Sequence, residues 1–217
     1  MTSQPVPLPT DPTELGIARA AAYFERFEPD KAASTLEPVL SADPRSAAGW
    51  LLLARVRLTL DQPEAALDAA KRVIELLPED PRPLATASRA LTMLGRHDEA
   101  ITMAYRAVIN EPENPFWHDR VAWALLAADR HLADAEQAAR TAVGLDPNEA
   151  HYYFTHGVAL DALGHTDQAR QALLISLRME PENPVAQHRL AMLDGPTRDD
   201  APPPAKKRWS LFRRKKD

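Results

Sequence analysis

The phrase LGRHDEA at residues 94–100 returns as LGHTDQA at 163–169, and EPENP at 111–115 returns at 180–184. LDQPEAA, residues 60–66, fills the same place in another stretch. Working outward from these phrases, a proline followed by a short polar run recurs at Pro44, Pro78, Pro112, Pro147 and Pro181, at spacings of 34, 34, 35 and 34 residues. Twelve residues before each stands an alanine: Ala32, Ala66, Ala100, Ala135 and Ala169. Coincident proline, alanine and turn phrases over five units establish an internal repeat, and a repeat of this length dictates the fold class.

Each unit reads as helix, turn, helix. Trp50, Leu53, Ala54, Val56 and Leu60 fall near helical spacing, as do Leu67, Ala70, Val73 and Leu77 after Pro63. Gly95 and Gly164 mark the turn inside a unit, where a residue of positive φ ends the first helix. Pro63 can open a second helix, because its missing N–H would have no helical acceptor there. The recurring prolines close each unit, since proline cannot continue a preceding helix. Alternating β-branched patterning is scarce, so no sheet is expected. The fourth unit holds one extra residue between Leu126 and Ala135, which predicts a longer turn or a bulged helix.

These residues resemble the tetratricopeptide repeat (TPR) family. Its pattern places small residues where two antiparallel helices cross, large ones between them, and a proline at the close. The second unit supplies Trp50, Leu53, Ala54, Ala66 and Pro78; the fifth supplies Tyr153, Gly157, Leu160, Ala169, Leu173 and Pro181. The third supplies Leu84, Leu91, Ala100, Ala107 and Pro112, and the fourth Val121, Ala122, Leu125, Ala135, Ala142 and Pro147. The first is more divergent, with Gly16 in an aromatic position, as suits a terminal repeat. The resemblance implies an all-α, right-handed α-solenoid of five tandem helix-turn-helix units, about 13–46, 47–80, 81–114, 115–149 and 150–183, with a capping helix at 184–194. The array then spans 12–194, between a disordered Pro-rich N-terminus (1–11) and a Pro-rich linker (195–204) that leads to a basic aromatic tail (205–217).

The same resemblance implies a function, protein–protein interaction as a scaffold or adaptor, and a place for it. Family positions lining a concave groove correspond here to Leu51, Arg55, Arg82, Arg89, Phe116, Asp119, Trp123, Phe154 and Met192. Arginine and tryptophan carry much of the energy at interfaces, so the expected occupant is a peptide or protein segment with acidic residues beside bulky apolar ones. The competing reading leaves the arginines on a solvated face and the aromatics in packing between repeats. Repeats of this family that clamp chaperone C-termini use a lysine and an asparagine that no unit has, so that partner is not expected.

Composition bounds the rest. The 217 residues are 45% hydrophobic and 26% charged, which excludes disorder throughout, and contain no cysteine, which excludes disulfides and thiolate chemistry. The N-terminus MTSQPVPLPT has no basic segment followed by an apolar run, so no secretory leader is expected. The longest apolar stretch, Val121 to Ala128, is far short of a spanning helix. No Gly-rich phosphate loop, nucleophile elbow or metal-binding histidine pair occurs; His151 and His156 are five residues apart, which does not place them on one helical face. The protein is therefore read as non-catalytic, with no cofactor and no metal.

Charge is distributed unevenly. The tail AKKRWSLFRRKKD carries seven cations and one side-chain anion, +6, which leaves −11 on residues 1–204 out of a total of −5. Lys206, Lys207, Arg208, Arg213, Arg214, Lys215 and Lys216, with Trp209 and Phe212, suit an anionic membrane surface, which predicts a cytoplasmic protein, peripheral at the inner membrane face. Nucleic acid is the rival ligand, because seven cations and stackable rings also fit a polyanion. A third reading has the tail fold against its own acidic body. Self-association through the ends of the array is open as well.

Overall fold

The structure is a computed structural model that describes residues 11–195. The described residues form eleven α-helices and no strands, and they divide into two compact units at Leu94/Gly95. The all-α class and the alternation of helix and short turn agree with the sequence reading.

The first unit holds α1 (Pro12–Glu25), α2 (Pro29–Ala42), α3 (Ala47–Thr59), α4 (Pro63–Leu76) and α5 (Pro81–Met93), each packed on the next. Three of these helices, α1, α3 and α5, start at a side-chain cap. Asp11, Ser46 and Asp80 accept hydrogen bonds from the backbone N–H of Glu14, Gly49 and Arg82 and so satisfy donors the first helical turn leaves open. Proline occupies the first position of α1, α2, α4 and α5, as expected for Pro63. Ala20, Ala32, Ala54, Ala66 and Ala70 are fully buried where helices cross, and Leu36, Leu40, Leu53, Val56, Leu67, Val73 and Leu84 fill the space between them. Pro38 sits inside α2, which continues through it at the loss of one helical hydrogen bond.

The second unit holds α6 (His97–Asn110), α7 (Pro115–Ala128), α8 (Leu132–Leu145), α9 (Ala150–Ala162), α10 (Thr166–Met179) and α11 (Pro184–Asp194). Consecutive helices from α6 to α11 pack on one another, and α7 also packs on α9. Short connections between packed neighbours make them antiparallel. Val121, Leu125, Leu126, Phe154, Val158 and Leu173 form its core with a set of buried alanines, and Ala186 brings α11 onto it. The crossing of α9 and α10 needs Gly157: a Cβ there would stand 2.9 Å from Leu173 Cγ and 3.2 Å from the carbonyl oxygen of Ala169.

The extra residue of the fourth repeat lengthens neither the turn nor a bulge. It extends α7 to 14 residues against 13 in α9, and the turn to α8 keeps three residues. That turn contains two left-handed residues, Asp129 and His131, whereas Gly164 alone is left-handed in the turn from α9 to α10. One repeated contact escaped the sequence reading. The Trp50 indole and the Gln187 amide each donate to a proline carbonyl six residues earlier, Pro44 at 2.9 Å and Pro181 at 2.7 Å; His118 Nε2 makes the matching bond to Pro112 at 2.7 Å. These bonds tie three of the five closing prolines to the helix that follows.

Two substitutions test this account by urea denaturation. Gly157→Val forces a branched side chain between α9 and α10 and should cost about 2 kcal/mol. Phe27, 92% exposed, holds φ +59° in the turn between α1 and α2, where Gly95 and Gly164 show what the geometry prefers. Phe27→Gly relieves that strain and should raise stability by up to about 1 kcal/mol.

Candidate peptide-binding surface

In the first unit, the groove residues predicted from sequence lie on α3 and α5. Arg55 is exposed and holds its guanidinium over the Phe24 ring at 5.4 Å, while Leu51 is half-buried. Arg82 and Arg89 are exposed on α5, but the Arg82 guanidinium forks onto Asp80, with Nε 2.9 Å from Oδ1 and Nη2 2.6 Å from Oδ2. Asp80 is thus both the cap of α5 and the partner of Arg82, and the guanidinium holds its carboxyl below the usual range. Arg82 has a partner within its own chain, which weakens its claim on an acidic ligand.

In the second unit, the predicted residues converge around the contact of α7 with α9. Trp123 of α7 is half-buried and stacks near His151 of α9, ring centroids 6.3 Å apart at 21°, and lies 6.1 Å from Phe154. Phe116, at the start of α7, is 42% exposed, with the Arg120 guanidinium 5.1 Å above its ring. Met192, on α11, is 58% exposed. These three carry the accessible apolar surface of the prediction.

Two of the predicted contacts face inward. Phe154 belongs to the core of the unit, and Asp119 is fully buried. The Thr155 hydroxyl donates to Asp119 Oδ1 at 2.6 Å across α7 and α9, the Arg120 guanidinium donates to Oδ2, and His151 Nε2 lies 3.4 Å from Oδ2. Burial pushes the Asp119 carboxyl up, but the His151 bond, the Arg120 charge and the Thr155 hydroxyl outweigh it and hold the group below its ordinary value. Asp119 therefore supports the surface from beneath, by fixing Arg120 and His151 in place.

Arg120 and Thr155 were missed from sequence as parts of this site. One signal was present: Asp119 stands in a column filled by Ile17, Leu51, Ala85 and Phe154 in the other four repeats and by His188 in the capping helix, and an acid among apolar residues marks a buried pair. Its partner on α9 is 36 residues away and could not be picked out by spacing. His151 and His156 engage different neighbours, Asp119 and Glu136, as their separation suggested. The tail residues Lys206, Lys207, Arg208, Trp209, Phe212, Arg213, Arg214, Lys215 and Lys216 lie outside the described residues, as do residues 1–10. Among the described residues, no helix is long and apolar enough to cross a membrane.

Residues 23–82 match the family model of the tetratricopeptide repeat. That stretch belongs to the tetratricopeptide repeat family. The fold of the chain is similar to that of solved TPR structures. TTC0263, a thermophilic TPR protein of Thermus thermophilus, is 18% identical with a TM-score of 0.72, over 83% of this chain and 98% of that one. PilF of Pseudomonas aeruginosa is 20% identical with a TM-score of 0.69, over 84% of each chain. YrrB, described as a TPR protein with an unusual peptide-binding site, is 18% identical with a TM-score of 0.58, over 81% of this chain and 90% of that one. Among curated proteins, no sequence matches the chain.

The Asp119 network makes a quantitative prediction. Removing one partner of a buried charge pair strands the other, so Asp119→Ala should cost about 3 kcal/mol or more at neutral pH. Because the folded carboxyl binds its proton more weakly than the unfolded one, its contribution is complete above the unfolded value near ~3.9 and is lost as pH falls through the lower folded value. Urea titrations from pH 7 to pH 3 should show the gap between the variant and the parent narrowing only at the acid end.

Proposed function

We propose that this protein is a non-catalytic adaptor that binds a peptide or protein segment on the face presented by the first helix of each repeat. TPR proteins as a family bind peptides and proteins. The observation that carries the reading here is the accessible apolar surface of the second unit: Phe116 on α7 and Met192 on α11 stand exposed and Trp123 is half-buried, while Asp119, Arg120 and His151 hold one another. An aromatic wall over a fixed hydrogen-bond network is the kind of preorganised surface that supplies binding energy. In the first unit, Arg55 and Arg89 favour acidic residues in the bound segment. The peptide-binding site named for YrrB supports a peptide as ligand.

A peptide array probed with the full chain tests this reading. Peptides that combine acidic with aromatic or large aliphatic residues should be retained preferentially. Trp123→Ala should weaken them about 30-fold, the equivalent of ~2 kcal/mol. The double charge reversal Arg55→Glu, Arg89→Glu should erase the preference for acidic residues. An unchanged array with both variants would remove the proposal.

The tail supplies a second reading, localisation. Seven cations near an anionic leaflet contribute at most ~7 kcal/mol, at about 1 kcal/mol each, and micromolar binding needs roughly 8 kcal/mol. Insertion of Trp209 and Phe212 into the interface would close that gap, which favours reversible attachment at the cytoplasmic face over permanent anchoring. Full-length protein should sediment with anionic vesicles and not with neutral ones, and a 1–204 truncation should stay in the supernatant. Equal sedimentation of both chains would end the membrane reading, and preference for single-stranded RNA over vesicles would replace it with the nucleic-acid one.

A further inference from the structure

The two edges of the second unit differ in how their acids are matched. Because α6 to α11 are consecutive antiparallel neighbours, the connections 111–114, 146–149 and 180–183 share one edge, and the turns 129–131 and 163–165 share the other. On the turn edge, carboxylates meet cations: Arg130 to Asp98 at 2.5 Å, Arg96 to Glu99 at 2.7 Å, and Arg170 to Asp167 at 3.1 Å. The other edge carries Glu111, Glu113, Asp146, Glu149, Glu180 and Glu182, and among the described residues none of the six forms an ion pair. Glu111 accepts only neutral donors, the Trp117 indole at 2.7 Å and the Asn114 amide at 2.9 Å. The field of this edge is felt inside the unit: burial, then Asp119, Glu149 and Asp146, push the Tyr152 hydroxyl up to about 12.

Directly beside the acidic edge lies uncovered apolar surface. The second residues of α7 and α11 are Phe116 and Val185, 42% and 54% exposed, and Met192 continues the α11 stripe two turns on. No helix follows α11 to cover it among the described residues, and Ala191, in the column where Ala122 and Gly157 are buried, is exposed. A ligand for this corner must combine several cations with apolar rings.

The chain carries such a segment. Residues 205–217 hold seven cations interleaved with Trp209, Leu211 and Phe212. Its tether is long enough. α11 runs away from the acidic edge over 11 residues, about 16 Å, while the nine residues 196–204 reach up to ~30 Å. Charge balance favours the same pairing, because residues 95–195 contain fifteen acidic and eight arginine side chains. We infer that residues 205–217 dock in cis on the second unit, their cations along the six carboxylates and their rings on Phe116, Val185 and Met192. The docked tail covers part of the surface proposed above for a partner, and an anionic membrane competes with the body for the same cations. The inference does not require that a partner binds there.

The absence of native cysteine makes the test direct. Ser210→Cys, carrying a nitroxide spin label in the full-length chain, should attenuate the amide signals of residues 111–116, 146–151 and 180–188, and leave those of 129–131 and 163–165 at full intensity. The loss should persist on dilution. It should disappear in ~1 M salt, where the screening length is ~3 Å, and in the variant Glu113→Gln, Glu180→Gln, Glu182→Gln. Equal attenuation of both edges, or attenuation that salt leaves in place, would overturn the inference. Attenuation that vanishes on dilution would also overturn it, because it would show the tail binding a second copy. The salt arm uses the unaltered body, so the test stands even if the triple variant fails to fold.

Discussion

Close approach of paired helices at small side chains is the constraint on which the remainder of this molecule rests. Where α1 meets α2, and α3 meets α4, the crossing residues are alanines with no exposed surface; where α9 meets α10, Gly157 does the same against Leu173. With backbones this near, each larger side chain fills a gap set by its neighbours, and interior packing tolerates little change in volume. Helices of 11 to 14 residues would be marginal alone, so their stability comes from being laid against one another. That interlocking fixes which residues of each first helix are left at the surface.

Within the second unit, the same packing makes a buried carboxylate tolerable. Asp119 leaves water entirely, yet it receives hydrogen bonds or close charge from Thr155, Arg120 and His151, so desolvation is offset by satisfied geometry. The result reaches the surface. Arg120 is held over Phe116 and His151 beside Trp123, which gives the aromatic side chains a defined arrangement before any partner arrives. Rigid, prepaid geometry of this kind lowers the entropic cost of association.

Charge adds a second level of organisation. Asp98, Glu99 and Asp167 of the turn edge are matched by arginines, whereas the acids of the connections 111–114, 146–149 and 180–183 form no ion pair among the described residues, and the sequence gathers seven cations at 206–216. The same cations cannot engage two anionic surfaces at once, so under the proposed function the acidic edge and a membrane are alternatives for them.

Repeat length, the helix pairs, the proline openings and the left-handed Gly95 and Gly164 were all legible in the chain, because local sterics and hydrogen bonding act over a few residues. The exposed Phe116 and Met192 and the half-buried Trp123 could be named in advance for the same reason: they follow a fixed register. What packing alone decided was non-local. The extra residue of the fourth repeat went into α7 and not into its turn, Asp119 turned inward to a hydroxyl 36 residues away, and Arg82 closed on Asp80. In each case several local conformations satisfy the backbone equally, and the choice falls to whichever places a neighbouring helix or a desolvated charge against its partner, a quantity that exists only once the helices are assembled.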